Sequence, residues 1–435
     1  MRVSDTLRRC CATRPVAFII VLAALEGLMV VLLGGYKIAI DTPSYISAYR
    51  HFLSGQIDIL RTPVYPFFVG MVQDVMGPRY YAWGVVALQY ALFFGTIKYF
   101  YALAMRVAAS PRRAFVATLC FALLPGISSW CSTLLTETLA LLGSVMLLYH
   151  LVRAHDTRRV IHALAMTVWL VFLIFLRPVF VYALPILAVV WTVAVFEGRG
   201  SRRVALASLA GVVVASMLLL GYMRALQAEH GLFAQSNVSD INLYYLERYD
   251  GLMNPSFVED APLREKLERF VATHGEKVED GHLIWGEWFD LKDNHSPAAV
   301  HQAIQASYQM QPLRAASKVG GRFYRVAMTA MFETRHPVWD TINDVLSPSM
   351  SVLYLLLATY GVLLVWTMLR QRRWPWLSVL MVMLGVANLV TAVVGAQSEW
   401  GRLVVPSLPI YMLMLLQLLK PWHWRGMPAG NRLFD

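Results

Sequence analysis

Residues 38–69 read IAIDTPSYISAYRHFLSGQIDILRTPVYPFFV. An apolar run from about Val16 to Leu33 leads into this stretch, and apolar runs of similar length fill most of the chain after it. The stretch itself carries Asp41, Arg50, Arg61 and a tyrosine flanked by prolines, Pro63-Val64-Tyr65-Pro66. Thr42 before Pro43 reads as a helix N-cap with proline at the first helical position. Tyr45, Tyr49, Phe52 and Leu53 share one helical face. A short helix with one aromatic face beside a span is expected to lie flat in the membrane interface. Gly55 ends it, and 67–76 reads as a second short helix.

The rest of the chain follows from this alternation of apolar runs and polar connectors. Of 435 residues, 57% are hydrophobic and only 15% charged, and the mean hydropathy is +0.52. Runs of about 20 apolar residues match the thickness of a bilayer core and must be helical there, because lipid offers no hydrogen-bond partners. The expected fold class is therefore an all-α polytopic membrane protein with about ten transmembrane helices. The expected spans are about 16–35, 80–106, 114–128, 133–151, 160–176, 179–196, 204–224, 347–369, 376–395 and 403–420.

A net charge of +11 raises nucleic acid as a partner, but its placement excludes that reading. The basic residues cluster in short connectors: Arg112 and Arg113; Arg153, Arg158 and Arg159; Arg199, Arg202 and Arg203; Arg370, Arg372 and Arg373. Every second connector carries such a cluster, as the positive-inside rule requires. With Arg2, Arg8, Arg9 and Arg14 at one end and Lys420 and Arg425 at the other, both termini are expected in the cytoplasm. The Arg-rich style reads as bacterial, so the membrane is expected to be the cell inner membrane. No small-residue cleavage site precedes Asp41, so the first helix is expected to be retained.

Three regions are expected. Residues 1–224 hold seven spans and the extracytoplasmic connector 36–79. Residues 225–345 have no long apolar run; weak helical patterns at 262–272 and 298–319 suggest a loop-plus-helix cap on the outer face. Residues 346–435 hold three more spans and a tail. Cys10, Cys11, Cys120 and Cys131 form neither a disulfide framework nor a metal set with histidines. The six-residue gap between His295 and His301 does not put them on one helical face, which argues against a zinc pair.

The chemistry is expected at the outer ends of the spans. Asp41, Arg61, Glu137, Arg177, Glu399 and Arg402 lie there, on four different connectors. Charges in such positions are costly in lipid and usually face a polar cavity or one another. Carboxylates beside arginines suit phosphoryl-linked chemistry: a carboxylate takes a proton from an acceptor hydroxyl while guanidiniums hold a departing phosphate. Asp41 is the candidate base. Glu137, Glu399 and Tyr45 are candidates for orienting the acceptor or a cation. Arg61 and Arg402 are candidates for binding a phosphate. A basic stretch with Lys292, Arg314, Lys318, Arg322 and Arg325 also lies on the outer side. Positive charge there needs an anion, either lipid headgroups or a substrate phosphate.

The pattern Asp41-Thr42-Pro43-Ser44-Tyr45, Gly55, then Arg61-Thr62-Pro63-Val64-Tyr65-Pro66 resembles the polytopic lipid-linked-sugar glycosyltransferases of the C-type fold. It looks most like their protein O-mannosyltransferase and aminoarabinose transferase branch. Thr136-Glu137-Thr138-Leu139, Arg177-Pro178, and Gly401-Arg402-Leu403 with Pro406 and Pro409 agree with that family's layout. The resemblance covers about 1–225 and 345–420 in layout, and the residue matches are confined to these motifs. It implies inverting transfer of a sugar from a polyprenyl-phosphate donor to a hydroxyl acceptor at the outer leaflet, in cell-envelope biogenesis. Asp41 would be the catalytic base or help hold a divalent cation. Residues 225–345 would be the loop over the site, with Lys318 and Arg322 joining Arg61 and Arg402 on the donor phosphate. Two departures from the family are expected: no second carboxylate follows Asp41 directly, and no soluble domain is expected after the last span. Both leave acceptor and metal dependence open. A lipid-linked-oligosaccharide flippase, polymerase or ligase is the main alternative, and a non-catalytic membrane partner the third. Clustering of ionisable groups at one face favours a reaction there over transport, which would place polar groups at mid-membrane depth.

Overall fold

The computed structural model describes residues 14–196, 201–331, 347–371, 375–396 and 400–419. Among these residues the chain is helical, with two isolated bridges and no sheet. Helix α1 spans Pro15–Gly34, α2 Thr42–Leu53, α3 Val64–Val107 and α4 Pro111–Ala122. Helix α5 spans Glu137–Thr157, α6 Val160–Leu176, α7 Ala183–Phe196 and α8 Arg202–His230. Eight helical stretches are long and apolar enough to cross a membrane, and the protein is a multi-pass membrane protein. Two expected spans are shorter than a bilayer core. Helix α4 has 12 residues and α6 has 17, or about 18 and 26 Å at 1.5 Å per residue. Within the membrane bundle, α5 packs against both α3 and α6, and α8 packs against α6 and α7.

The connector after α1 is folded more tightly than its sequence implied. Thr42 does not cap α2. Its hydroxyl accepts the Ala39 N–H (3.0 Å) and donates to the Leu134 carbonyl (3.0 Å), tying the start of α2 to a distant segment. The aromatic face of α2 does not lie in the interface either. Tyr45 and Tyr49 are each only 4% exposed and pack on the start of α3, with Tyr45 against Tyr65 (4.7 Å) and Tyr49 against Phe67 (5.5 Å). Burying these rings together removes more apolar area from contact with water than a surface-lying helix would.

Helix α3 merges the expected short helix with the next span. Gly77, at φ 74°, breaks it just before Pro78, a left-handed backbone that glycine adopts without strain. Gly70 serves a different purpose: a Cβ there would stand 2.1 Å from the Tyr49 ring, so its missing side chain is what lets α2 seat on α3.

The region after α8 is not mainly loop. It forms α9 (Val238–Asp250), α10 (Ala261–His274), α11 (Gly281–Asn294), α12 (Pro297–Met310) and α13 (Pro312–Met328). Asp260, Asp280 and Ser296 cap α10, α11 and α12 through their side chains. These helices bury their own apolar cluster, including Tyr244, Leu263, Leu267, Trp288, Leu291 and Ile304. At its edge the fully buried Arg248 grips Glu287 through Nε and Nη2 (2.7 and 2.9 Å), while Tyr244 and His274 complete the carboxylate's shell. The chain then returns to the membrane with α14 (Ser351–Gln371), α15 (Trp376–Gly395), a helical turn at Trp400–Val404 and α16 (Leu408–Leu418).

Replacing Gly70 with Ala is expected to destabilise the protein by about 1–3 kcal/mol, because the Tyr49 ring must move. Gly95→Ala, whose Cβ meets nothing within 4 Å, is expected to be neutral or to gain up to about 1 kcal/mol. Thermal unfolding in detergent separates the two; equal effects would show that the contact does not matter. The cap carries a second test. Burial pushes the Glu247 carboxyl up to about 8, against the opposing pull of Ser307 and Arg248. The folded cap therefore favours the protonated acid. Its stabilising contribution is full below the unfolded value of 4.5 and is lost as pH rises through about 8. Glu247→Gln should flatten that decline in hydrogen-exchange protection of 238–310, and an unchanged slope would contradict the assignment.

Candidate active site

Five charged side chains from five separate stretches meet in one chain of alternating sign. Arg61 Nη2 donates to Asp41 Oδ1 at 2.8 Å. The other oxygen, Asp41 Oδ2, lies 3.5 Å from Arg402 Nη2. Arg402 Nε in turn donates to Glu137 Oε1, which also accepts from Arg177 Nη1 at 3.2 Å. Among the described residues, three guanidiniums alternate with two carboxylates.

Local sequence explains how each member is aimed. Asp41 sits at the N-terminus of α2, but its side chain makes no capping hydrogen bond and is free to turn towards the arginines. Asp58 Oδ1 accepts the backbone N–H groups of Leu60 and Arg61 (2.9 and 2.8 Å), which fixes the loop that delivers Arg61. The Arg61 guanidinium lies 4.5 Å from the Tyr45 ring centroid, and its Nε donates to Ser44 Oγ at 2.8 Å. Pro178 drives the residue before it into extended backbone; Arg177 has φ −148° and ψ 125° and so leaves the α6 axis to reach Glu137. Glu137 is the first residue of α5, where the helix dipole favours a carboxylate. Arg402 stands in the short turn Trp400–Val404.

The segment that presents Glu137 is held from two sides. Lys37 N–H donates to Ser132 O (2.9 Å), and Leu134 N–H to Lys37 O (3.0 Å). From within α3, Gln89 Nε2 donates to the carbonyls of Cys131 and Thr133, both at 2.9 Å, while its Oε1 accepts from Tyr65 OH at 3.1 Å. Gln89 is not among the residues that the sequence singles out, and Ser44 and Tyr65 stand in its quoted motifs without a site role. The available signal for Gln89 was a buried amide inside an apolar span, which is expensive unless it holds something in place.

Burial separates the two carboxylates. Glu137 is fully buried, whereas 29% of the Asp41 side chain is exposed. Burial opposes ionisation of Asp41, but Arg61 and Arg402 outweigh it, and its carboxyl titrates below the ordinary range. Asp41 is thus an ionised, reachable carboxylate, and Glu137 a buried counter-charge that holds two arginines. Tyr45 is buried beneath Arg61 and packs against Tyr65, which makes it a support for the guanidinium. A cavity of about 190 Å³ opens beside the same loop, lined by His51, Asp58, Glu229 and His230 among others.

The remaining sequence candidates are placed elsewhere. Glu399 lies outside the described residues. Arg322 is 3% exposed and donates through Nε to Asp250 Oδ2 at 2.6 Å, so a cap carboxylate already occupies it. Lys318 lies on α13, half-buried. Among the described residues, no three His, Cys, Asp or Glu side chains converge on a metal-sized gap. Asp41 and Glu137 are both engaged by guanidiniums in this arrangement.

No protein-family model and no curated protein matches the sequence. Solved structures do. Over 94% of its length the chain is similar to the archaeal oligosaccharyltransferase AglB from Archaeoglobus fulgidus in complex with an inhibitory peptide and a dolichol-phosphate, at 12% identity and a TM-score of 0.50. It is also similar to the apo form of the oligosaccharyltransferase from that organism (12% identity, TM-score 0.52, 93% of this chain). The form tethered to an acceptor peptide containing the NVT sequon gives 10% identity and a TM-score of 0.52 over 94% of this chain. The chain spans 50% of the length of each of these structures. At such identities the likeness establishes the fold, which is of the C-type glycosyltransferase kind.

Glu137→Gln is expected to cost about 3–5 kcal/mol, because it leaves Arg177 and Arg402 facing each other without their buried counter-charge. Unfolding in detergent reads this directly. A variant as stable as the parent would show that the ion pairs contribute nothing.

Proposed function

We propose that the protein is a membrane glycosyltransferase that moves a sugar from a polyprenyl-phosphate donor to a hydroxyl acceptor, with inversion, on the extracytoplasmic face. One observation carries this reading: an ionised, partly exposed carboxylate lies between two guanidiniums in a chain of alternating charge. The motifs around Asp41 and Arg61 favour the O-mannosyltransferase and aminoarabinose transferase branch. The alternating arginine clusters support an inner-membrane location with both termini in the cytoplasm.

The chemistry follows from the geometry. The donor's phosphate brings negative charge to the guanidiniums and competes with Asp41 for Arg61 and Arg402. As the guanidiniums turn to the phosphate, Asp41 loses the partners that lowered its basicity. It then accepts the proton of the acceptor hydroxyl while that oxygen attacks the anomeric carbon. The bond between the anomeric carbon and the phosphate oxygen breaks, and the electron pair leaves with the polyprenyl phosphate. Arg61 and Arg402 stabilise the charge that develops there. Glu137 and Arg177 keep Arg402 in position throughout. The described residues supply proton transfer and charge stabilisation without a cation, so no step is assigned to one.

A flippase would move the lipid-linked sugar without breaking that bond. Purified protein incubated with a panel of polyprenyl-phosphate sugars and hydroxyl acceptors should release free polyprenyl phosphate. Asp41→Asn should lower that release by at least about 10²-fold, the low end for loss of a general base, with insertion and stability retained. Full activity in the variant, or movement of the lipid with no bond change, would overturn the reading.

A further inference from the structure

Helix α13 carries an apolar surface that the site does not use. Leu313, Tyr324 and Met328 are 85%, 65% and 59% exposed, and Met310, just before the helix, is 66% exposed. At about 100° per residue the three helical positions fall within about 60° of one another. Ser317 and Gly320 share that arc and add no bulk. The neighbouring arc carries Arg314, Lys318 and Arg325. Arg325 is drawn towards Asp250 (3.3 Å) and the Tyr249 ring; Arg314, about half exposed, donates to Gln311 Oε1 within the same turn (3.0 Å) and lies 3.8 Å from Glu276. The opposite side is buried: Val326 is fully enclosed, and Val319 and Phe323 pack on the core of the membrane bundle.

The height of this helix is fixed by its neighbours. Tyr354, in the first turn of the membrane-crossing α14, donates its hydroxyl to the Phe323 carbonyl (3.4 Å), and their rings lie 6.0 Å apart. Beyond α13, Met331 N–H donates to Pro348 O (2.7 Å) and Met350 N–H to Thr329 O (2.8 Å). The end of α13 is thereby held at the level where α14 begins. Beside Tyr354, Val352 and Leu355 are 48% and 69% exposed, on a helix whose outer surface faces lipid. The helix that carries the exposed apolar arc thus adjoins the start of α14.

We infer that α13 lies along the membrane surface, with Leu313, Tyr324 and Met328 in the acyl boundary and Arg314 and Lys318 on anionic headgroups. The arrangement is that of an interfacial amphipathic helix: an apolar arc flanked by cations, at the depth of a span's first turn. It assigns Arg314 and Lys318 to lipid headgroups, and through Arg322 and Asp250 it seats the helical cap on the bilayer. The inference stands on the membrane reading alone and does not depend on which donor the site takes.

The test uses the full-length protein in nanodiscs containing a phospholipid with a photoactivatable diazirine near the top of its acyl chain. Mass spectrometry then maps the adducts. Adducts are expected at Leu313, Tyr324 and Met328, with yields higher in phosphatidylglycerol than in phosphatidylcholine. Lys318→Gln should lower the phosphatidylglycerol yield on 312–328 by about fivefold, the equivalent of ~1 kcal/mol for one basic side chain near an anionic surface. Adducts on α14 serve as the internal control for the labelling. If α14 is labelled while 312–328 reacts only with a water-soluble carbene, the inference fails. It fails equally if 312–328 cross-links to a second copy of the chain, because that copy would then be the occupant. Labelling at Tyr324 and Met328 without Leu313 would overturn the surface-parallel placement.

Discussion

The site depends on a single buried carboxylate. Glu137 has no exposed surface, and it accepts from Arg402 and Arg177, which arrive from opposite parts of the chain. A lone ion at that depth would be intolerable, and so would two bare guanidiniums; together they persist because each cancels the other's cost. This constraint joins the start of α5, the break after α6 and the turn before α16. Asp41 and Arg61 are then added at the exposed end, where the same alternation of charge continues into solvent reach.

The scaffold shows how much structure is spent on keeping that carboxylate in place. The extended segment before α5 is paired to Lys37 on one side and bound by Gln89 on the other. Thr42 ties it to the beginning of α2. A shift of this segment would therefore move Glu137 and Asp41 together. Coupling of this kind suits a site in which a base and its competing cations must keep fixed distances while a charged substrate enters and leaves.

Much of this was legible in the sequence, for a physical reason. Lipid forbids unpaired backbone and discourages charge, so apolar runs announce helices, and charges at their ends announce a meeting place. Asp41, Arg61, Glu137, Arg177 and Arg402 could be named because each breaks the apolar pattern at the same end of a span. What could not be read was which charge pairs with which. Arg322 looks identical to Arg402 in sequence, yet it is taken by Asp250, a cap residue 72 positions away. The aromatic face of α2 was misassigned to the interface because amphipathicity does not reveal whether lipid or another helix covers it; the gap left by Gly70 decided that. The cap's helicity was underestimated because its helices are short and polar outside, and their apolar sides make sense only when packed against one another.

The similarity to archaeal oligosaccharyltransferase structures covers nearly all of this chain and half of those, and it fixes the architecture rather than the substrate. The central claim is that the charge chain is a receptor for a lipid-linked phosphate. An experimental structure of the protein with bound polyprenyl phosphate tests it most directly. The account predicts phosphate oxygens within hydrogen-bond distance of both Arg61 and Arg402, with Asp41 released from at least one of them and Glu137 still holding Arg402. A phosphate bound elsewhere, with the contacts of Asp41 to Arg61 and Arg402 intact, would contradict it.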